Sequence, residues 1–166
     1  MLSLSKKTDY ALLALSYLTR AETGRAINTR EIAEQYAIPV ELLAKILQKL
    51  ARARLITSTP GPTGGYKLAR PAAEISVGSV VELIDGPPAI ATCMKTVGNR
   101  CDQLNHCTIR HPLARINARI FQMLNLVSLA EINQDENGHD TDIAFEAFAL
   151  SAKDRPRRSE TLTADR

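Results

Sequence analysis

Cys93, Cys101 and Cys107 are the only cysteines of the 166-residue chain, and they share one short stretch with Gly98, Asn99, Arg100, Asp102, Gln103, Asn105 and His106. A structural cysteine usually lies among apolar neighbours and behaves as a small hydrophobe. In so polar a stretch, thiols are exposed to oxidation unless something holds them. An odd count leaves a closed disulfide framework with one thiol over, whereas zinc or an iron-sulfur cluster can take three thiolates and a fourth donor. The C-x7-C-x5-C stretch is therefore the candidate metal site. The three histidines, His106, His111 and His139, form no recognisable acid–base pair, and the sequence has no phosphate-cradling glycine motif. An enzyme is the least expected class.

The elements that must position these thiols are helical. Hydrophobic residues make up 45% of the chain but aromatics only 4%, with no Trp, so burial relies on Leu, Ile, Val and Ala. A mostly α protein follows. The start, MLSLSKKTDYALLALSYL, has too short an apolar run for a span and no small-residue cleavage site, and with no disulfide framework a reducing cytoplasm is expected. Residues 1–70 carry eleven Lys and Arg against five Asp and Glu, a net +6, while residues 71–166 carry ten against thirteen, a net −3. That asymmetry fits a phosphate-binding N-terminal module.

YALLALSYL, apolar nearly all round, predicts a helix buried on most sides and capped by Ser3 or Ser5. Thr29 is placed to cap a short second helix ending near Tyr36, and Pro39 to open a third. In that third helix, Leu42, Leu43, Ile46, Leu47 and Leu50 share one stripe, leaving Glu41, Lys45, Gln48, Lys49 and Arg52 outward. Two helices this closely spaced, the second with a basic outer face, have helix-turn-helix dimensions. LITST and YKLAR, enclosing PGPTGG, then predict a hairpin wing. A helix over SVGSVVELIDGP is expected to start at Ser76 or Ser79 and stop at Gly86. Beyond Pro112, Leu113, Ile116, Ile120, Met123, Leu124 and Val127 recur at three- and four-residue steps, which predicts a long amphipathic helix. Such a stripe can hide on a second copy, so a two-fold homodimer is expected.

The order of these features resembles the winged helix-turn-helix iron-sulfur regulators of the IscR and NsrR type, most nearly those of the SUF cluster-assembly system. The resemblance covers residues 1–132 and rests on LSKKTDYALLALSYL, IAEQYAIPVELLAKILQKLARARLI, GPTGGYKLARP, the cysteine spacing and VSLAEI. It implies a cytoplasmic DNA-binding repressor that reads cluster status through a [2Fe-2S] or [4Fe-4S] cluster on Cys93, Cys101 and Cys107. IscR-like members take a fourth ligand from a histidine three residues after the last cysteine. That position here is Arg110, with His111 one step on. NsrR-like members recruit an acidic residue from the first helix of the other subunit, and Asp9 stands at the matching position. Asp9 is the expected fourth ligand and His111 the alternative.

The implied organisation is a winged helix-turn-helix over 1–86, a cluster-binding loop over 87–111, a dimerisation helix over 112–134 and a flexible tail over 135–166. Thr29, Pro39, Glu41, Lys45, Gln48, Lys49, Arg52, Gly64, Gly65, Tyr66 and Lys67 form the expected DNA-binding set. Glu41 could accept from a cytosine amino group. Thr63, in place of a basic wing-tip residue, predicts weak minor-groove anchoring. The readings left beside this one are a nitric-oxide or redox sensor of the same family, a structural zinc site on the three cysteines and His111, and a metal-free thiol switch.

Overall fold

The computed structural model of the chain describes residues 3–21, 25–61, 64–94, 101–103 and 105–134. Helix α1, Lys6–Arg20, begins where the Ser5 hydroxyl accepts from the Thr8 amide, satisfying one orphan donor of the first turn. The all-round burial expected of YALLALSYL is partial: Ala11, Ala14, Leu15 and Leu18 are buried, while Leu13 is exposed. Helix α2 spans Thr29–Gln35. Its cap is Asn28 rather than Thr29, because the Asn28 Oδ1 already accepts from the Glu31 amide at 2.8 Å and leaves Thr29 as the first helical residue.

Helix α3, Val40–Arg52, starts one residue later than expected, with Pro39 as its cap and the Leu43 amide donating to the Pro39 carbonyl. Both α2 and α3 end in the same way. The Ile38 amide reaches back to the Ala33 carbonyl at 2.9 Å, and the Leu55 amide to the Leu50 carbonyl at 3.1 Å. The residues that turn the chain, Ala37 and Arg54, lie at φ 50° and 58°. Glycine is usual there, since a Cβ crowds the left-handed conformation.

Strands β1, Ile56–Thr59, and β2, Gly65–Leu68, pair antiparallel from Ile56 with Leu68 to Thr59 with Gly65. Ile27 adds a bridge on the far side of β2, exchanging both backbone bonds with Tyr66 at 2.9 and 2.8 Å. Ile27, in the stretch between α1 and α2, thus supplies a third, one-residue strand. A 3-10 turn at Ala72–Glu74 leads to α4, Val77–Asp85, capped by Ser76 and stopped at Gly86 with φ 86°. After a second 3-10 turn at Thr92–Met94 come α5, Arg110–Leu126, and α6, Leu129–Gln134.

The single long helix expected over 112–134 is therefore interrupted. Ser128 and Glu131 form a reciprocal capping box, the Ser128 amide donating to Glu131 Oε2 at 2.5 Å and the Glu131 amide to the Ser128 hydroxyl at 3.2 Å. This starts α6 and turns it back onto α1, where Ser16 donates to the Asn133 side-chain carbonyl. The core joins Leu15, Ile27, Ile32, Leu43, Leu47, Leu50, Ile56, Ile75, Val80 and Leu129 around α1. Helix α5 packs on α4 but has no buried residue of its own, and its apolar side chains Met123 and Leu126 are 67% and 80% exposed.

The strain at Ala37 gives a stability prediction. Removing a Cβ from the left-handed region relieves about 1–2 kcal/mol, partly offset by about 0.5–1 kcal/mol of added chain entropy in the unfolded state. Ala37→Gly should therefore raise unfolding free energy by about 0.5–1 kcal/mol. Urea melts at matched protein concentration measure it, and a lowered midpoint would contradict the turn geometry.

Candidate nucleic-acid interface and cysteine segment

Burial of Leu43, Ile46, Leu47 and Leu50 turns the opposite stripe of α3 outward, and Glu41, Lys45, Gln48 and Arg52 are exposed along it. Lys49 is exposed too but is engaged within the chain, its Nζ donating to the Ile84 carbonyl at the end of α4 at 3.2 Å. It stands at the margin of the stripe, between α3 and α4. Pro39 is exposed in the turn between α2 and α3, and Thr29 is half-buried at the start of α2.

The wing is positioned by glycine chemistry. A Cβ on Gly65 would collide with the Ile27 carbonyl, so the bridge that joins Ile27 to Tyr66 requires glycine there. Gly64 closes the hairpin with its amide on the Gly61 carbonyl at 2.9 Å. Tyr66 is half-buried and Lys67 exposed. Thr63 and the expected flexible tail over 135–166, with His139, lie outside the described residues. A third anchor holds the Ile27 segment: Glu31 accepts from the Tyr17 hydroxyl at 3.1 Å and from Arg25 at 2.9 Å. Burial and the adjacent Glu31 carboxylate raise the Tyr17 phenol, which keeps it a donor.

Asp85 is a residue that sequence reasoning missed. A carboxylate at a helix C-terminus opposes the helix dipole, and that misplacement was the available signal that it has tertiary partners. It accepts from the Ser5 amide at 3.2 Å, the Ser5 hydroxyl at 2.6 Å and the Thr8 hydroxyl at 2.8 Å. Together with Lys49 on Ile84, this ties the end of α4 to the starts of α1 and the wall of α3.

Cys93 sits in the 3-10 turn after α4, and Cys101 and Cys107 precede α5; all three are free thiols and half-buried. Asp9 is exposed one turn past Ser5, and His111 is exposed in the first turn of α5. Residues 95–100 and Leu104, between the thiols, lie outside the described residues. Among the described residues no three His, Cys, Asp or Glu side chains are gathered as a metal-holding group. Within one chain, then, neither Asp9 nor His111 completes a group of three such side chains with the thiols among the described residues.

The fold and this basic helix with its wing match a known family. The family model described as Rrf2, iron-dependent transcriptional regulator, matches residues 4–135. The chain belongs to the Rrf2 family. It is 30% identical over 135 residues to the HTH-type transcriptional regulator NsrR of Oceanobacillus iheyensis, covering 81% of this chain and 92% of that one. The structure of T. potens IscR superposes with a TM-score of 0.64 at 21% identity, over 84% of this chain and 93% of the other. CymR (YrzC), the global cysteine regulator of B. subtilis, superposes with a TM-score of 0.63 at 21% identity, over 81% and 98%. The Rrf2 chain described here is accordingly a DNA-binding transcriptional regulator and not an enzyme. Among its described residues, no helix is long and apolar enough to cross a membrane.

The Asp85 tie predicts an acid-sensitive step. Partial burial pushes its carboxyl up, but the Ser5 and Thr8 hydrogen bonds and the Lys49 charge outweigh burial and hold it below the usual carboxylate range. A depressed folded value means that the contribution is complete above the unfolded value of about 3.9 and disappears as pH falls through the lower folded value. Asp85→Asn should cost about 1 kcal/mol at neutral pH, the hydrogen bonds being discounted for solvent exposure. Urea melts between pH 3 and 7 should show the gap from wild type closing below about pH 4; a gap constant over that range would contradict the assignment.

Proposed function

We propose that this Rrf2 regulator is a homodimeric, cytoplasmic repressor of iron-sulfur cluster assembly genes, and that it reads cluster status through Cys93, Cys101 and Cys107. The observation that carries the reading is the position of three half-buried, unpaired thiols between the helix-turn-helix core and a helix with no buried side chain. Soft sulfur donors with one weaker oxygen or nitrogen ligand suit an iron-sulfur cluster, and the weak ligand makes it easy to lose. The fourth donor is Asp9 of the partner subunit, with His111 as the alternative. When bound, the cluster supplies a redox- and iron-dependent crosslink between the two ends of the cysteine segment.

This chain's own residues do the rest. Lys45, Gln48 and Arg52, with Glu41 at the helix start, read base edges in the major groove. Thr29, Pro39, Lys67 and the backbone at Gly64 and Gly65 meet phosphates beside Tyr66, and Lys49 joins them from the margin of α3. The exposed apolar stripe of α5 closes on its copy and sets two reader helices about one DNA turn apart. Ordering of the cysteine segment can change operator affinity only by its differential interaction with two arrangements of these units. A tenfold change needs about 1.4 kcal/mol of such difference.

Protein purified without oxygen should be coloured and contain iron and acid-labile sulfide. Selection from a random duplex pool should yield a near-palindrome that maps upstream of cluster-assembly genes. Replacing all three cysteines with Ala should weaken binding to that duplex at least tenfold, with the salt dependence of phosphate contacts retained. Equal affinity of the triple variant and the coloured wild type would end the sensing claim. A colourless protein with one zinc per chain would replace it with a structural metal site, and a response to nitric oxide or oxygen alone would make it a nitric-oxide or redox sensor.

The dimer is tested separately. Met123→Glu with Leu126→Glu should give a monomer by sedimentation and lose at least tenfold in operator affinity. An unchanged dimer would move the interface off α5.

A further inference from the structure

Cys93 and Cys107 belong to chain segments that approach from opposite ends of a long connection, and one side chain joins those segments. Asn117, half-buried on α5, donates from Nδ2 to the Pro88 carbonyl at 2.9 Å, and its Oδ1 accepts from the Ile90 amide at 3.0 Å. The side-chain amide acts as a peptide group would in a sheet, offering one donor and one acceptor to the same backbone segment. Cys93 lies three residues beyond Ile90, and Cys107 two residues before the α5 cap Ile109. Along the helix Asn117 is about 12 Å from Ile109 at 1.5 Å per residue, and three extended residues reach about 10 Å. The clip thus holds the segment that leads into the 3-10 turn of Cys93 against α5, the helix from whose start Cys107 emerges. Pro87 and Pro88 remove two amides from this stretch and restrict its backbone, so the Ile90 amide is one of few donors by which it can be held.

We infer that Asn117 is a positioning residue for the cysteine site, holding residues 88–90 against α5 so that Cys93 is presented beside Cys107. The inference deepens the reading of the three cysteines as a cluster site, but its main readout does not need a cluster. In apo protein, Asn117→Ala and the near-isosteric Asn117→Asp, which replaces the donor with an oxygen facing the Pro88 carbonyl, both break the clip. Alkylation of each thiol, followed by peptide mass spectrometry, should show Cys93 reacting roughly tenfold faster in both variants, which corresponds to about 1.4 kcal/mol lost from the pair of hydrogen bonds. Cys101, which is not next to the clip, should change less than twofold, and the thermal midpoint should fall by only a few degrees. Reconstituted variants should also lose iron to a chelator faster than wild type.

Unchanged Cys93 reactivity in folded variants would overturn the inference. So would equal acceleration at all three thiols, which would indicate general loosening. Should both variants fail to fold, hydrogen exchange at the Ile90 amide of wild type decides the matter: protection well above that of an exposed amide supports the clip, and exchange at the free rate sinks it. Faster Cys93 alkylation in a protein that never takes up iron would keep the clip and remove the cluster.

Discussion

The rotation of α3 about its own axis is set by what it buries, and the face proposed to read DNA follows from that. Leu43, Leu47 and Leu50 have no exposed surface, and each contributes about 1.5–3 kcal/mol by leaving water. Turning the helix by one residue would bring one of them into solvent and drive a Lys or Gln inward, unpaired. The stripe of Glu41, Lys45, Gln48 and Arg52 is therefore outward by exclusion. The wing is fixed relative to it by the same core, because Ile56 at the start of β1 and Ile27 beside β2 both sit in the cluster that holds α3.

Helix α4 links this reading unit to the exposed apolar helix, and both of its ends are tied. At its start the Val77 amide donates to the Val127 carbonyl at 2.9 Å and the Leu129 amide to the Ile75 carbonyl at 2.8 Å. These bonds join the end of α5 to the beginning of α4, where a Cβ on Gly78 would collide with Asn125. At its other end Asp85 and Ile84 meet α1 and Lys49. Helices α4 and α5 thus form a hairpin whose long connection carries the three thiols. The end with that connection lies next to α3, where Lys49 donates to the Ile84 carbonyl.

Local chemistry in this fold was legible and long-range pairing was not. The apolar stripe of α3, the glycine- and proline-rich wing turn, and the Ser5, Ser76 and Gly86 boundaries are set by neighbours a few residues away, which a sequence displays directly. Ser128-x-x-Glu131 is of the same kind. It is a capping box that announces the break between α5 and α6, but it is masked by the apolar periodicity running through Val127. The bridge of Ile27 to Tyr66, the grip of Asp85 on Ser5 and Thr8, and the clip of Asn117 on Pro88 and Ile90 span 39, 80 and 29 residues at most. No spacing rule reaches so far. Lys49 shows the same limit on the site, since helical phase puts it outward with Lys45 and only the end of α4 explains its bond to the Ile84 carbonyl. The cysteine spacing was legible as chemistry, but the ligand set was not, because the two candidates for a fourth donor, Asp9 and His111, are on the first turns of separate helices.

The scale of these ties bears on how such a molecule can switch. Each is a hydrogen bond or pair of bonds near the surface, with a net contribution of about 1 kcal/mol, whereas the α3 core is held by several fully buried side chains. In the proposed switch, small free-energy changes at the cysteine segment would therefore not rotate α3 in its socket, but would suffice to make or break a tie at the connected end of the α4–α5 hairpin. Two such ties correspond to a factor of about 30 in an equilibrium constant. In a dimer that grips two half-sites, the spacing and tilt of two intact reading units are what such a change would alter. The proposed regulator would thus divide its labour by energy: a stiff core keeps the outward stripe of α3 constant, and weak polar contacts beside the thiols leave the arrangement of two such stripes adjustable.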